Sequence, residues 1–189
     1  MNAAQMAAAL KEKFGDAVLS TTEFRGEHTV QVAPTSLKLL LKYCRDEMNF
    51  DYLVDISSLD HMGEEPRFEM VYELYGYGHL HHLRVKAKVA ETQAVPTVSD
   101  IWGTADWHER EVWDMMGIRF DGHPDLRRIL MWEGYPYFPL RKEFPLAGKP
   151  SDLPEVGFTK PAPMADGPFV TSAGAPDTVA REPRARRVG

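Results

Sequence analysis

YLVDISSLDHMGEEPRFEMVYELYGYGHLHHLRVKAKV, residues 52–89, decides the fold. Its segments YLVDISSLDHM, RFEMVYELYGY and HLHHLRVKAKV each alternate apolar with polar side chains, the period of two that marks a half-buried strand. Gly63-Glu64-Glu65-Pro66 and Gly76-Tyr77-Gly78 separate them, so three strands in a meander are predicted. Upstream the period changes. Residues 2–14 place Met6, Ala7, Leu10 and Phe14 at helical spacing, with Gly15 as the stop. VLSTTEFRGEHTVQV, residues 18–32, reads as two short strands joined near Arg25-Gly26. Pro34-Thr35-Ser36 then opens LKLLLKYCRDEMNF, whose Leu37, Leu40, Leu41, Cys44 and Met48 make one apolar helical stripe.

Helices beside an antiparallel, half-buried sheet are the pattern of an α+β layer rather than of a parallel βαβ array. The predicted architecture is two N-terminal helices packed on one face of a four- or five-stranded, mainly antiparallel sheet, followed by short helices and an extended C-terminal arm. Residues 1–95 would form the α+β domain and 96–146 the short helices and the arm. In residues 147–189 fall seven of the 14 prolines, with few apolar residues between them. Such a segment cannot offset its own ordering entropy, so it is expected to be disordered or draped on a partner.

The totals exclude several classes of function. A net charge of −6 gives no general attraction to nucleic acid or anionic lipid. The single cysteine, Cys44, rules out an internal disulfide framework and a self-contained cysteine-ligated metal cluster. Lys11, Glu12 and Lys13 interrupt the place where a signal peptide needs its apolar core, and no apolar run reaches the ~18 residues that span a bilayer. A membrane would be reached only through other subunits.

The chemistry-bearing residues crowd into WHEREVWDMMGIRFDGHPDLRRIL, residues 107–130. With Asp106 as N-cap, Glu109 at capping-box spacing and Gly117 as stop, Trp107 to Met116 is predicted as a helix, preceded by a shorter helical stretch at Val98 to Trp102. Glu109 then falls between Val112, Trp113 and Met116 on the apolar face and needs a donor, for which Arg127, Arg128 and Arg141 are the candidates. Arg110 and Asp114, four apart, can pair with each other.

Catalytic readings compete less well. HEREV starts like the HExxH of zinc peptidases, but Val112 stands where the second histidine belongs. Glu109 and Glu111 face apart on a helix and do not make an acid–base pair. His79, His81 and His82 could bind a metal, although no third ligand lies near in sequence, and hydrogen-bonded histidines at a sheet edge explain them equally. Trp102, Trp107, Trp113 and Trp132 suit core or interface packing better than base stacking, because an acidic chain lacks a cationic groove. No G-x-S-x-G, P-loop or G-x-G-x-x-G is present. A free-standing metal-dependent hydrolase stays open as the alternative of another class.

Glu109-Arg110-Glu111, Asp114, Met115-Met116, His123, Arg127 and Ile129-Leu130, at these spacings, resemble the signature of the 30 kDa subunit family of respiratory complex I, the NADH-quinone oxidoreductase. The flanking Gly122-His123-Pro124, Asp125-Leu126-Arg127-Arg128 and Pro139-Leu140-Arg141-Lys142-Glu143-Phe144-Pro145-Leu146 extend the likeness, which covers roughly residues 37–146. The resemblance implies a structural subunit of the peripheral arm, with no catalytic, cofactor-binding or metal residue of its own. Glu109, Arg110, Glu111, Asp114, His123, Asp125, Arg127, Arg128 and Arg141 would form a structural or interface motif. The implied partners are the quinone-site subunit and two iron–sulfur subunits, in a complex that uses FMN, iron–sulfur clusters, NADH and quinone on the cytoplasmic side of a bacterial inner membrane. The chain is expected to be the form not fused to the quinone-site subunit. An equivalent scaffold in a ferredoxin- or F420-dependent quinone oxidoreductase or a membrane-bound hydrogenase would share the motif.

Overall fold

The structure, a computed structural model, describes residues 3–145; the Pro-rich segment 147–189 lies outside them. Helix α1 spans Ala3–Phe14 and the hairpin strands β1 and β2 span Val18–Phe24 and Glu27–Val32. Helix α2 is Leu37–Asp46, and the meander β3, β4 and β5 is Tyr52–Asp60, Phe68–Gly76 and His81–Val89. A two-residue strand β6 at Val95–Pro96, helix α3 at Ala105–Met116 and a two-residue strand β7 at Phe120–Asp121 complete the elements.

One sheet carries the order β1-β2-β5-β4-β3. Every neighbouring pair is antiparallel except β2 and β5, which run parallel. The α+β expectation of a five-stranded, mainly antiparallel sheet thus matches the structure. Arg25 and Gly26, with φ of 53° and 81°, take the positive-φ turn that follows the right-handed twist of a two-residue hairpin. In β5 the alternation is plain: Leu83, Val85, Ala87 and Val89 are buried, with Arg84, Lys86 and Lys88 between them. On the outer face Arg84 pairs with Glu73, and Lys86 with Glu69 at 3.1 Å, the cross-strand pairs that suit a wet sheet surface.

Met6, Ala7 and Leu10 of α1, and Leu37, Leu40, Leu41 and Cys44 of α2, enter one core with Val30, Val32, Met70, Tyr72 and Leu74. Helix α1 packs on β1, β2 and β5, and α3 packs on β3. Val98, Trp102, Ala105, Val112, Met115 and Met116 belong to that same core, and the Trp102 indole Nε1–H donates to the Phe50 carbonyl at 3.2 Å. Burial pushes the Cys44 thiol up, well away from the reactive thiolate. A thiol reagent is therefore expected to leave Cys44 unmodified in the native chain and to label it on unfolding, which mass spectrometry checks.

Two expectations on local structure are overturned. Val98 to Trp102 is a turn, in which the Ile101 and Trp102 amides both donate to the Val98 carbonyl, at 2.9 and 3.0 Å. Helix α3 begins at Ala105 with Thr104 as N-cap, and Thr104 makes no side-chain cap bond. The Asp106–Glu109 capping box does not form because the Glu109 carboxyl is engaged elsewhere, by Thr97 and Val98.

Candidate functional site: helix α3 and the arm it carries

Helix α3 ends with the problem of every helix, four carbonyls without an intrahelical partner. Here each one is met. The Trp113 carbonyl accepts the Gly117 amide at 2.8 Å, and the Met115 carbonyl accepts the Leu140 amide at 3.1 Å. The Asp114 carbonyl accepts Arg128 Nη1 at 2.9 Å, and the Met116 carbonyl accepts Arg141 Nε at 2.7 Å. Two guanidinium groups thus sit at the negative end of the helix dipole, and both belong to residues 123–145, the extended arm.

The Asp114 side chain organises the arm. Fully buried, its Oδ2 accepts the amides of Ile129, Leu130 and Met131 at 3.1, 2.7 and 2.9 Å. Its Oδ1 takes Arg128. Burial pushes this carboxyl up, but the Met131 amide, the Arg128 guanidinium and the Leu130 and Ile129 amides outweigh it and hold it below the usual aspartate value. Arg128 also donates to the carbonyls of Tyr135 and Tyr137 at 2.6 and 3.2 Å, and lies over the rings of Trp113, Tyr135 and Phe138. Five donors and a flat stacking face make arginine the residue that can do all this at once.

A second clamp fixes the arm to the sheet. Arg67 grips Asp60 through two bonds of 2.8 Å, reaches Glu91 at 3.1 Å and pairs with Glu143. Asp60 also accepts the Lys142 amide at 2.9 Å, while Arg141 reaches Glu91 at 2.6 Å. The Arg67 guanidinium holds the Asp60 carboxyl below its ordinary value against the opposing effect of burial. Sequence reasoning missed Asp60, Arg67 and Glu91, and the one available signal was that Asp60 and Arg67 flank the β3–β4 loop.

Of the residues singled out from sequence, Arg110, Asp114, Arg128 and Arg141 come together here. Arg110 does not pair with Asp114 as expected. Its Nε donates to the Arg127 carbonyl at 3.2 Å and its guanidinium covers Trp107, because Asp114 is saturated by the arm. Glu109 is fully buried as expected, yet none of Arg127, Arg128 or Arg141 is its donor. Instead Oε1 accepts the Val98 amide at 2.7 Å, Oε2 lies 2.5 Å from Thr97 Oγ1, and His123 Nε2 stands 3.9 Å away. Parallel pairing of β6 with β7 brings residue 97 to this place. Glu111 is exposed. Asp125 and Arg127 form an exposed pair at 2.9 Å, worth little.

The three histidines of HLHH part company. His79 bonds the Met48 carbonyl at 3.1 Å and accepts the His81 amide at 3.2 Å, and His82 meets Glu73 at 3.0 Å. Among the described residues no group of three or more His, Cys, Asp or Glu is placed to hold a metal ion.

Residues 30–150 match the family described as respiratory-chain NADH dehydrogenase, 30 kDa subunit. A type-C NADH-quinone oxidoreductase subunit of Rhizobium meliloti (strain 1021) is 45% identical over 152 residues, covering 79% of this chain and 84% of that protein. The type-C NADH-quinone oxidoreductase subunit of Geotalea uraniireducens (strain Rf4) is 44% identical over 140 residues, 74% of this chain and 85% of that protein. A chain in the structure of the membrane-bound sulfane sulfur reductase, an archaeal respiratory membrane complex, shares the fold with a TM-score of 0.66 at 23% identity, over 76% of this chain and 85% of that one. The Glu-Arg-Glu, Asp, His and Arg spacing around α3 and the identity over most of the chain agree: the protein belongs to the 30 kDa subunit family of respiratory-chain NADH dehydrogenase.

Proposed function

We propose that this chain is a structural, non-catalytic subunit of the peripheral arm of a proton-translocating NADH:quinone oxidoreductase, keeping the quinone-site subunit and two iron–sulfur subunits in register. One observation carries the proposal. Asp114, Arg128 and Arg141 pin the arm to the end of α3 while leaving Leu130, Trp132 and Leu140 exposed at 60%, 45% and 61%. A rigid segment that turns apolar and aromatic side chains outward suits the centre of a protein interface. FMN, the clusters and the two substrates would be held by the other subunits, and this chain, none of whose described helices is long and apolar enough to cross a membrane, would be attached to the cytoplasmic side of the inner membrane through them.

Purification of the tagged chain from membranes is expected to bring along the quinone-site and iron–sulfur subunits together with the flavin-bearing one, while the isolated chain shows no flavin or iron–sulfur absorption. Co-purification of a ferredoxin-dependent or hydrogenase module in place of the flavin-bearing protein would overturn the NADH assignment, and a stoichiometric cofactor in the isolated chain would overturn the non-catalytic one. Leu130→Asp with Leu140→Asp should leave the chain folded yet reduce the recovered complex by roughly tenfold or more, the effect of about 1.4 kcal/mol. Unchanged recovery would put the interface elsewhere.

A further inference from the structure

Glu109 is joined to the surface by two hydroxyls. Its Oε2 lies 2.5 Å from Thr97 Oγ1, which lies 2.8 Å from Ser99 Oγ. Ser99 lines an open cleft of about 400 Å³, bounded also by Lys38, Asp100, Asp121 and Gly122. Thr97 is itself buried, so the chain of oxygens runs from a dry carboxyl to a wet cleft through two groups that can each accept and donate. We propose that Glu109 is a reversible proton-binding site of the folded protein, loaded and unloaded through the Ser99–Thr97 relay.

The hydrogen bonds balance in both states. With Glu109 ionised, Ser99 O–H donates to Thr97 Oγ1 and Thr97 O–H donates to Glu109 Oε2. A proton arriving from the cleft at Ser99 Oγ releases the serine proton to Thr97 Oγ1, whose own proton passes to Oε2. The chain then points outward, with the Glu109 hydroxyl donating to threonine and threonine to serine. Two bonds serve both states: the Val98 amide donates to Oε1 at 2.7 Å, and the Ser99 amide donates to Thr97 Oγ1 at 3.2 Å. One proton is gained, and no other covalent bond changes.

The surroundings favour occupancy. From the arm, His123 accepts the Asp125 amide at Nδ1, 3.1 Å away, which leaves the ring proton on Nε2 and directs it to the Asp106 carbonyl and carboxylate of α3, each 3.2 Å away. From α2, Lys38 is held by Asp100 at 2.9 Å. From β4, the Tyr72 hydroxyl is buried with no hydrogen-bond partner among the described residues, and burial first and the Glu109 charge second push its pKa well up. No cation therefore touches Glu109, and burial outweighs the contributions of Thr97, Val98, His123 and Lys38, holding its carboxyl above the usual glutamate value.

Infrared difference spectra of the full chain test this at about pH 5.3, one unit above the usual glutamate value of about 4.3, where an ordinary glutamate is mostly ionised. A protonated-carboxyl C=O band is expected in the wild type and is lost in Glu109→Gln, a neutral replacement of the same shape. Ser99→Ala, at the cleft, should keep the band and slow its hydrogen-to-deuterium shift several-fold. Thr97→Val should move both the band and its titration, which keeps the site testable if Glu109→Gln fails to fold. Absence of a Glu109-dependent band, an unmoved band in Thr97→Val, or wild-type exchange in Ser99→Ala would each overturn the proposal.

Discussion

Asp114→Ala is expected to destabilise the chain by about 3–5 kcal/mol, the usual cost of removing one partner of a buried ion pair. The change leaves Arg128, whose side chain is only 10% exposed, facing the rings of Trp113, Tyr135 and Phe138 without its carboxylate, and it deprives three arm amides of their acceptor. Against a total of about 5–15 kcal/mol, that is a large share. The loss should fall on the arm, so recovery of the assembled complex drops further than the unfolding midpoint suggests. The effect of pH has a definite sign. Because the folded pKa of Asp114 lies below its unfolded value of about 3.9, its ionic contribution is complete above that value and disappears as pH falls through the folded one. Urea unfolding of wild type and variant should thus show a gap that is constant from about pH 5 upward and narrows below about pH 3.9. A gap under about 1 kcal/mol at neutral pH, the size of an exposed ion pair, would mean that the arm does not lean on Asp114.

The contrast between Asp114 and Glu109 shows what could be read in the chain and what could not. Both lie on α3 and both are fully buried. That Glu109 would be buried followed from its place between Val112, Trp113 and Met116, since helical geometry converts spacing directly into a face. Its partners did not follow, because they are an amide and a hydroxyl of residues 97 and 98, delivered by the distant pairing of Val95 with Phe120. The acceptor role of Asp114 was hidden for a similar reason. Three of its donors are backbone amides, which every residue except proline carries, so no residue type announces them. Elsewhere the same rule holds. The meander and the Leu37–Cys44 stripe were legible because burial repeats with the local period. The parallel contact of β2 with β5 was not, since it joins segments separated by α2, β3 and β4.

Gly117→Ala is expected to be the most damaging single-methyl change along α3 and the arm. Gly117 closes α3 in the left-handed region at φ 77°, and an added Cβ would stand 2.7 Å from the Phe138 ring and 2.8 Å from Arg141 Nη2. Left-handed backbone costs an alanine about 1–2 kcal/mol. Overpacking adds about 1–3 kcal/mol, because Phe138 is held between Arg128 and Arg141 and has little room to yield. Two other glycines separate these causes. Gly63 has φ 93° and open space around its Cβ position, so Gly63→Ala should show the backbone cost alone, about 1–2 kcal/mol. Gly103 has open space and no left-handed backbone, so Gly103→Ala should fall within about 0.5 kcal/mol of wild type. Urea unfolding of the three variants is then expected to rank them Gly117, Gly63, Gly103, with only the first also lowering recovery of the assembled complex, since it alone pushes on the residues that seat the arm. Equal losses at Gly117 and Gly63 would show that the arm yields freely at Phe138, and the rigid presentation of Leu130, Trp132 and Leu140 would have to be abandoned.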